Sequence, residues 1–183
     1  MTTPEITLPL LRIGAPAPAV SLEGLATDGT FKQFDFQKER GKWIIFFFYP
    51  LDFTFICPTE ITSFSSRAGE FEKLGATIFG ASTDTCYSHK AWCDTKLGKL
   101  AYPLLSDPTH EVSRAYNALI PEKGHTVRAT FIIDPEGLLR YALYHDNNVG
   151  RSVDECLRVL SALQTGELCP INWQPGMATL GKT

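Results

Sequence analysis

The residues of this chain with the most to offer chemically are its cysteines. Five are present, at positions 57, 86, 93, 156 and 169, irregularly spaced and without a C-x-x-C pair. An odd, scattered set does not read as the framework of a disulfide-stapled secreted domain; free or catalytic thiols fit better. Cys57 stands out by its setting. Ile61, Phe64, Ala68, Phe71 and Leu74 recur at spacings of three and four, one face of an amphipathic helix, and the stripe extended back four positions reaches Cys57. Its sulfur is then expected at a helix N-terminus, where unpaired N–H groups and the positive end of the helix dipole favour an anion. Cysteines so placed, with cations nearby, titrate at roughly 3.5–7.5 rather than about 8.5 and are nucleophilic at neutral pH. Pro58 suits the first helical turn, since its missing N–H would find no partner there. Thr54 could turn its hydroxyl toward the thiolate or toward an oxygen bound beside it, and Pro50 could wall off solvent; read plainly, Pro50 ends a strand and Thr54 caps the helix.

Cys86, His89 and Cys93 fall at i, i+3 and i+7 on one helix face, a C-x₂-H-x₃-C pattern with only three ligands for a soft metal. Buried cysteines beside a hydrogen-bonded histidine are the commoner arrangement, and the structural reading is preferred. Arg128 opens the segment RATFIIDPEG. By itself it is a surface arginine starting a strand, but a guanidinium facing a thiolate would favour the anion and bind an oxygen that is gaining charge. Glu60, three residues after Cys57, is a first-turn acid that complements the helix dipole. Cys169, in GELCPINW, lies in a Gly/Pro-rich tail where mobility and exposure are expected; alone it reads as an incidental thiol. No GxGxxG, P-loop, GxSxG or HExxH motif is present.

The elements that must position these groups follow from periodicity. The apolar run 43–49 has no polar interruption and is too short to span a bilayer, so it reads as a strand buried on both faces, ended by Pro50. The Cys57 helix is expected to run to Gly75, its C-terminal stop, and ATIFGAS (76–82) to form a second buried strand. Short β-type runs around Val20 and at 31–36, with Asp28 and Gly29 as a turn signal, predict an edge hairpin. A helix is expected over 85–97. Residues 100–108 read as a loop or short strand, with Asp107 as N-cap and Pro108 as first residue of a helix to about Asn117. Residues 118–127 read as a polar loop, 128–137 as strand and turn, and LLRYALYH as a strand paired with it. Ser152 and Glu155 form a capping-box pattern for a helix over 153–164 that Gly166 stops. The first dozen residues are expected to be loosely held. Strands alternating with helices predict an α/β sandwich around a central sheet.

The chain has 183 residues, 44% hydrophobic and 20% charged, ordinary for one soluble domain with a sizeable core. A formal net charge of −3 gives no electrostatic case for nucleic acid or an anionic membrane. No basic segment precedes an apolar core at the start and no run nears the roughly 20 apolar residues of a membrane helix, so the expected location is cytoplasmic.

Three blocks of the sequence carry a resemblance. FYPLDFTFICPTE resembles the active-site motif of peroxiredoxins of the typical 2-Cys class, which includes the alkyl hydroperoxide reductase C subunit. RATFIIDPEG is similar to that family's RATFVVDP-type segment, and GELCPINW to its GEVCPANW block, with Leu168 and Ile171 as departures. The blocks stand in the family's order, and the resemblance spans roughly residues 14–180. It implies one thioredoxin-like domain over 1–183, a central mixed β-sheet flanked by helices: an N-terminal hairpin, a core at about 14–165 and a C-terminal tail, 166–183. It also implies a thiol peroxidase of antioxidant defence. Cys57 would attack hydrogen peroxide or a small organic hydroperoxide and become a sulfenic acid, with Pro50, Thr54 and Arg128 holding the peroxide and Glu60 orienting Arg128. The first turn of the helix would unwind, and Cys57 would form an intersubunit disulfide with Cys169, the resolving cysteine, of a partner subunit. A thioredoxin-like protein or a dedicated flavoprotein reductase would reduce it, with no bound cofactor or metal. Homodimers would pair through edge strands and assemble into a decameric ring, with Phe53 at the dimer–dimer contact, while Phe53 and Phe55 rim the pocket.

The segment TDTCYSHKAW matches a family stretch that is not a metal site, and Cys86, Cys93 and Cys156 match no catalytic position. The loop ALIPEKGHTVRA lacks a GGLG-like insertion and the tail lacks the Tyr-Phe helix of some eukaryotic members, which implies faster resolution and resistance to overoxidation. Two other readings stay open: a 1-Cys peroxidase resolved by an external thiol, with Cys169 idle, and a thioredoxin-fold holdase or binding protein.

Overall fold

Strand β3 (Trp43–Phe48) organises the molecule because both of its faces are apolar. In the computed structural model, which describes residues 11–182, Ile45, Phe47 and then Tyr49 point into one core and Ile44, Phe46 and Phe48 into the other, as period-two alternation dictates. Most of the N-terminal dozen residues lie outside the described residues.

In chain order the remaining elements are β1 (Ser21–Leu25), β2 (Phe31–Asp35), α1 (Cys57–Ser66), α2 (Ala68–Lys73), β4 (Ala76–Ser82), α3 (Cys86–Trp92), β5 (Leu104–Ser106), α4 (Glu111–Ala115), β6 (Leu119–Ile120), β7 (His125–Thr126), β8 (Arg128–Ile133), β9 (Leu139–His145) and α5 (Val153–Thr165). Seven strands form one sheet in the order β2-β1-β5-β4-β3-β8-β9. The β3, β4 and β5 pairings are parallel, and the others antiparallel, so the sheet is mixed as expected. Helices α1, α2 and α5 cover one face, with Phe64 stacked on Phe47 at 4.7 Å between centroids. Helix α4 and the hairpin close the other around Phe46, Phe79, Tyr116 and Phe131. Among the described residues no helix is long and apolar enough to cross a membrane.

The hairpin turns at Gly29, whose φ of +82° suits glycine. Helix α5 carries half of the expected capping box: Ser152 Oγ accepts from Glu155 N at 3.1 Å, while the Glu155 carboxylate binds Arg158 instead. Gly166, at φ +64°, ends that helix.

Several expectations need correction. The Cys57 helix is not continuous to Gly75; it breaks at Arg67 (φ −107°, ψ 7°) into α1 and α2. Serines are the cause we assign: Ser66 Oγ donates back to Ser63 O at 2.9 Å, and such local bonds compete with the helical ladder. Asp107 is not an adjacent cap followed by helix. A turn with His110 at φ +62° intervenes, α4 begins at Glu111, and the Asp107 carboxylate reaches across to accept from Val112 N (3.3 Å) and Ser113 N (2.7 Å). The helix expected over 85–97 is α3, capped by Thr85, followed by a wider π turn at Cys93–Leu97. The loop 118–127 contains the two-residue ladder β6–β7.

Thr130 is 1% exposed and, among the described residues, its hydroxyl has no hydrogen-bond partner. Valine has the same shape without the unpaired oxygen. Thr130→Val is therefore expected to raise unfolding free energy by about 1 kcal/mol, seen as a higher urea midpoint at unchanged slope; a lower midpoint would mean that the hydroxyl is bonded.

Candidate active site

The antiparallel pairing of β3 with β8 sets Phe48 opposite Ala129, so the start of β8 arrives beside the end of β3. That register brings Arg128 to the loop leading into α1. Cys57 is the first residue of α1 and is fully buried; the residue before it, Ile56, is helical in backbone and supplies no side-chain cap. One guanidinium nitrogen of Arg128, Nη1, lies 3.3 Å from Cys57 Sγ and 2.7 Å from Glu60 Oε2, while its Nε donates to Asn147 O at 3.1 Å. Cys57 and Glu60, three apart, share one side of the first helical turn.

Arg151 completes the cluster and was not singled out in the sequence. Its backbone N and Nε donate to Glu60 Oε1 (2.9 and 3.1 Å), and Nη2 donates to Oε2 (2.8 Å). Nη1 donates to Phe48 O and Ala129 O, and the guanidinium lies 4.7 Å from the Phe47 ring centroid. One buried carboxylate thus fixes two buried guanidiniums, one of which faces the sulfur. A signal for Arg151 did exist. It stands just before the cap of α5, where a cation opposes the helix dipole, so its position calls for another partner.

Pro50 is buried at the end of β3, and the carbonyl before it, Tyr49 O, accepts from Thr126 Oγ1 at 2.8 Å. Thr54 is half-buried; its hydroxyl donates to Leu51 O at 2.9 Å and it does not cap α1. The loop that holds both is anchored by Asp52, also missed in the sequence. Its N donates to Asp84 Oδ2, and its carboxylate accepts from Tyr49 OH (2.9 Å) and Ser88 Oγ (2.7 Å) and faces His89 Nδ1 at 2.8 Å. His89 Nε2 meets Leu105 O at 3.0 Å, so both ring nitrogens serve the loop and the core. Among the described residues, no group of three His, Cys, Asp or Glu is arranged to hold a metal. Phe53 has φ +56°, and its ring packs 5.7 Å from that of Trp92; Phe55 is exposed.

Cys169 is not brought to Cys57; both are free thiols. It is half-buried against the last turn of α5, not fully exposed as expected of a tail. The reason is closure of the tail on itself: Leu168 N donates to Gly181 O and Leu180 N to Leu168 O, and Trp173 is buried with Nε1 bonded to Met177 O.

Among the described residues, Cys86, Cys93 and Cys156 differ from Cys57 in having no guanidinium hydrogen-bonded to the sulfur. Burial pushes the Cys86 and Cys93 thiols up to about 11 and the Cys156 thiol to about 12. A raised folded-state value means that the native state keeps protons the unfolded chain gives up, so stability is full below the ordinary thiol range and lost as pH rises through it. Unfolding free energy is expected to fall between about pH 9 and 12; equal urea midpoints at pH 7 and pH 10.5 would contradict this.

The profile of the AhpC/TSA family matches residues 13–142. A putative peroxiredoxin of Bacillus subtilis, YkuU, is 50% identical over 175 residues, covering 92% of this chain and 97% of that one. A mitochondrial thioredoxin-dependent peroxide reductase of Drosophila melanogaster is 45% identical over 179 residues, covering 92% and 76%. The reduced crystal structure of a Plasmodium vivax 2-Cys peroxiredoxin superposes with a TM-score of 0.89 at 34% identity, covering 93% of this chain and 92% of that one. A cysteine at a helix start facing a buried arginine therefore sits within a thioredoxin-like fold of known lineage: the chain belongs to the AhpC/TSA family and is a peroxiredoxin, a thiol-dependent peroxidase.

Proposed function

We propose that the chain reduces hydrogen peroxide and small organic hydroperoxides by a two-cysteine cycle in which Cys57 is the peroxidatic thiol and Cys169 of a partner subunit resolves it. The observation that carries the reading is the 3.3 Å approach of Arg128 Nη1 to Cys57 Sγ, with the same nitrogen held by Glu60. The guanidinium presents a fixed, positively charged donor where the transferred oxygen gains charge. The Cys57 thiolate attacks one peroxide oxygen; the O–O bond breaks, the leaving oxygen departs as alkoxide or hydroxide and takes up a proton, and Cys57 becomes a sulfenic acid. Pro50 limits water at the sulfur. Thr54, whose own proton is committed to Leu51 O, keeps lone pairs with which to accept from a hydroperoxide O–H. Glu60 and Arg151 position Arg128.

In the second step the Cys169 thiol attacks the sulfenic sulfur. The S–O bond breaks, an S–S bond forms, and the Cys169 proton leaves with the hydroxyl as water. Because Cys57 is fully buried, the first turn of α1 unwinds to allow this. A dithiol protein, thioredoxin-like or a flavoprotein disulfide reductase, then returns both cysteines to thiols. No step calls on a bound cofactor. Five free thiols suit a reducing compartment such as the cytoplasm. Homodimers formed through edge strands, assembling to a decamer with the exposed Phe53 at the contact between dimers, complete the reading; sizing of the reduced protein tests the ring, and dimers alone would remove it.

The experiment is a non-reducing gel of pre-reduced protein after one equivalent of hydrogen peroxide, with Cys57→Ser and Cys169→Ser beside it. The expected result is a covalent dimer in the wild type and in neither variant. Peroxide consumption without a dimer would replace this cycle by a one-cysteine one, and activity retained in Cys57→Ser would remove Cys57 from the chemistry.

A further inference from the structure

Thr165, the last residue of α5, has a hydroxyl whose three hydrogen-bonding valences are all accounted for. Its proton goes to Ala162 O at 2.8 Å. One lone pair accepts from Glu167 N at 3.1 Å, and the other faces Cys169 Sγ at 3.5 Å. Since the hydroxyl proton is already committed, the Cys169 contact has one direction, with S–H donating and oxygen accepting. A second acceptor, Ala162 O, lies 3.8 Å from the same sulfur. Cys169 is thus held by its proton at the C-terminal end of a helix, the end whose carbonyl oxygens lack backbone donors. Cys57 is placed at the opposite kind of helix end.

The surrounding tail reinforces the arrangement. The segment from Leu168 to Gly181 is closed by two backbone hydrogen bonds, the Thr179 hydroxyl binds the Glu167 carboxylate, and Trp173 O accepts from Arg158 Nη1 at 3.1 Å. None of these bonds involves the Cys169 side chain, so the sulfur's own departure is controlled by Thr165 and Ala162. A groove of about 630 Å³, lined in part by Arg140, Val159 and Ile171, opens beside the sulfur and gives an arriving chain access to it.

We infer that Thr165 is a positioning residue of the resolving step: its hydroxyl latches the Cys169 thiol to α5, and this latch opens before Cys169 meets the sulfenic acid. The inference rests on the two-cysteine cycle proposed above. When the disulfide forms, the proton that Thr165 held leaves with the Cys57 hydroxyl as water, so Thr165 itself is unchanged.

The test is a rapid-mixing experiment on reduced full-length protein with one equivalent of hydrogen peroxide, quenched with an alkylating reagent and resolved on non-reducing gels. Thr165→Val keeps the shape and removes the acceptor; Thr165→Ser keeps the acceptor. Disulfide formation is expected to be about threefold to tenfold faster in Thr165→Val, the range set by losing one ordinary hydrogen bond. Thr165→Ser is expected within twofold of wild type, and the rate of Cys57 oxidation is expected unchanged in all three. Sulfinic acid on Cys57, read by mass spectrometry, should correspondingly require more peroxide in Thr165→Val. Unchanged or slower disulfide formation in Thr165→Val overturns the latch, and so does a Thr165→Ser variant as fast as Thr165→Val, because serine retains the acceptor. A wild type that forms no disulfide overturns the two-cysteine cycle and the latch together, whereas a normal wild type with an unaltered Thr165→Val overturns the latch alone.

Discussion

Replacing Arg128 with methionine is expected to slow the reaction of Cys57 with hydrogen peroxide by about 10²–10³-fold, the usual cost of removing one fixed donor from a developing negative charge. Arg128 Nη1 lies 3.3 Å from the sulfur, and it is rigid because Glu60 Oε2 accepts from that same nitrogen while Asn147 O accepts from Nε of the guanidinium. Methionine fills the volume of the side chain's stem but donates nothing, so the sulfur loses the guanidinium that faces it and an oxygen bound there loses its donor. Lysine restores charge without the planar fork. One ammonium cannot reproduce the Cys57, Glu60 and Asn147 contacts together, so Arg128→Lys is expected to recover only part of the rate. Competition for peroxide against a reference peroxidase reads the second-order rate directly. A rate within threefold of wild type in Arg128→Met would show that the helix terminus alone activates the sulfur.

Glu60→Gln is expected to destabilise the fold by about 3–5 kcal/mol, the range for breaking a buried ion pair by removing one partner. The side chain of Glu60 is 3% exposed, and those of Arg128 and Arg151 are 4% and 1% exposed. Glutamine preserves the shape and leaves two neighbouring guanidiniums with no anion between them. The penalty is therefore that of uncompensated buried charge, not of lost packing, and it has a diagnostic consequence. Arg151→Met in the Glu60→Gln background should destabilise less than Arg151→Met alone, because the two side chains act as a unit. Urea denaturation of the four proteins at pH 7 gives the cycle. A Glu60→Gln loss below about 1 kcal/mol would mean that water reaches the guanidiniums and carries their charge.

What the sequence reveals and what it hides divide along the range of the interactions. Cys57, Glu60 and the stripe behind them are local, fixed by the 3.6-residue period, and the structure buries Cys57, Glu60, Ile61 and Phe64 together on one side of α1, with Pro58 in its first turn. The strand at β3, the hairpin at Gly29 and the Ser152 cap are equally local and were legible. Arg128 could be nominated only through the resemblance of its segment, since nothing in its neighbours points toward a residue 71 positions earlier. Arg151 binds Glu60 across 91 residues and belongs to no motif, and Asp52 reaches His89 across 37. Such pairs are created by the register of β3 against β8 and by the packing of α3 and α5, which periodicity does not report. The break at Arg67 was hidden for a different reason: the apolar stripe continues through it, so hydrophobic spacing cannot see serine hydroxyls competing for backbone carbonyls.

Of the five cysteines, Cys57 is expected to be the one that reacts with peroxide, because Arg128 Nη1 faces its sulfur at a helix start. The most direct measurement treats reduced Cys169→Ser with one equivalent of hydrogen peroxide in the presence of dimedone, which adds only to sulfenic acids, and maps the adduct by peptide mass spectrometry. A stoichiometric adduct is expected on Cys57, none on Cys86, Cys93 or Cys156, and a markedly slower adduct when Arg128→Met is added. An adduct on any of those three cysteines, or peroxide consumed with Cys57 unmodified, would contradict this expectation.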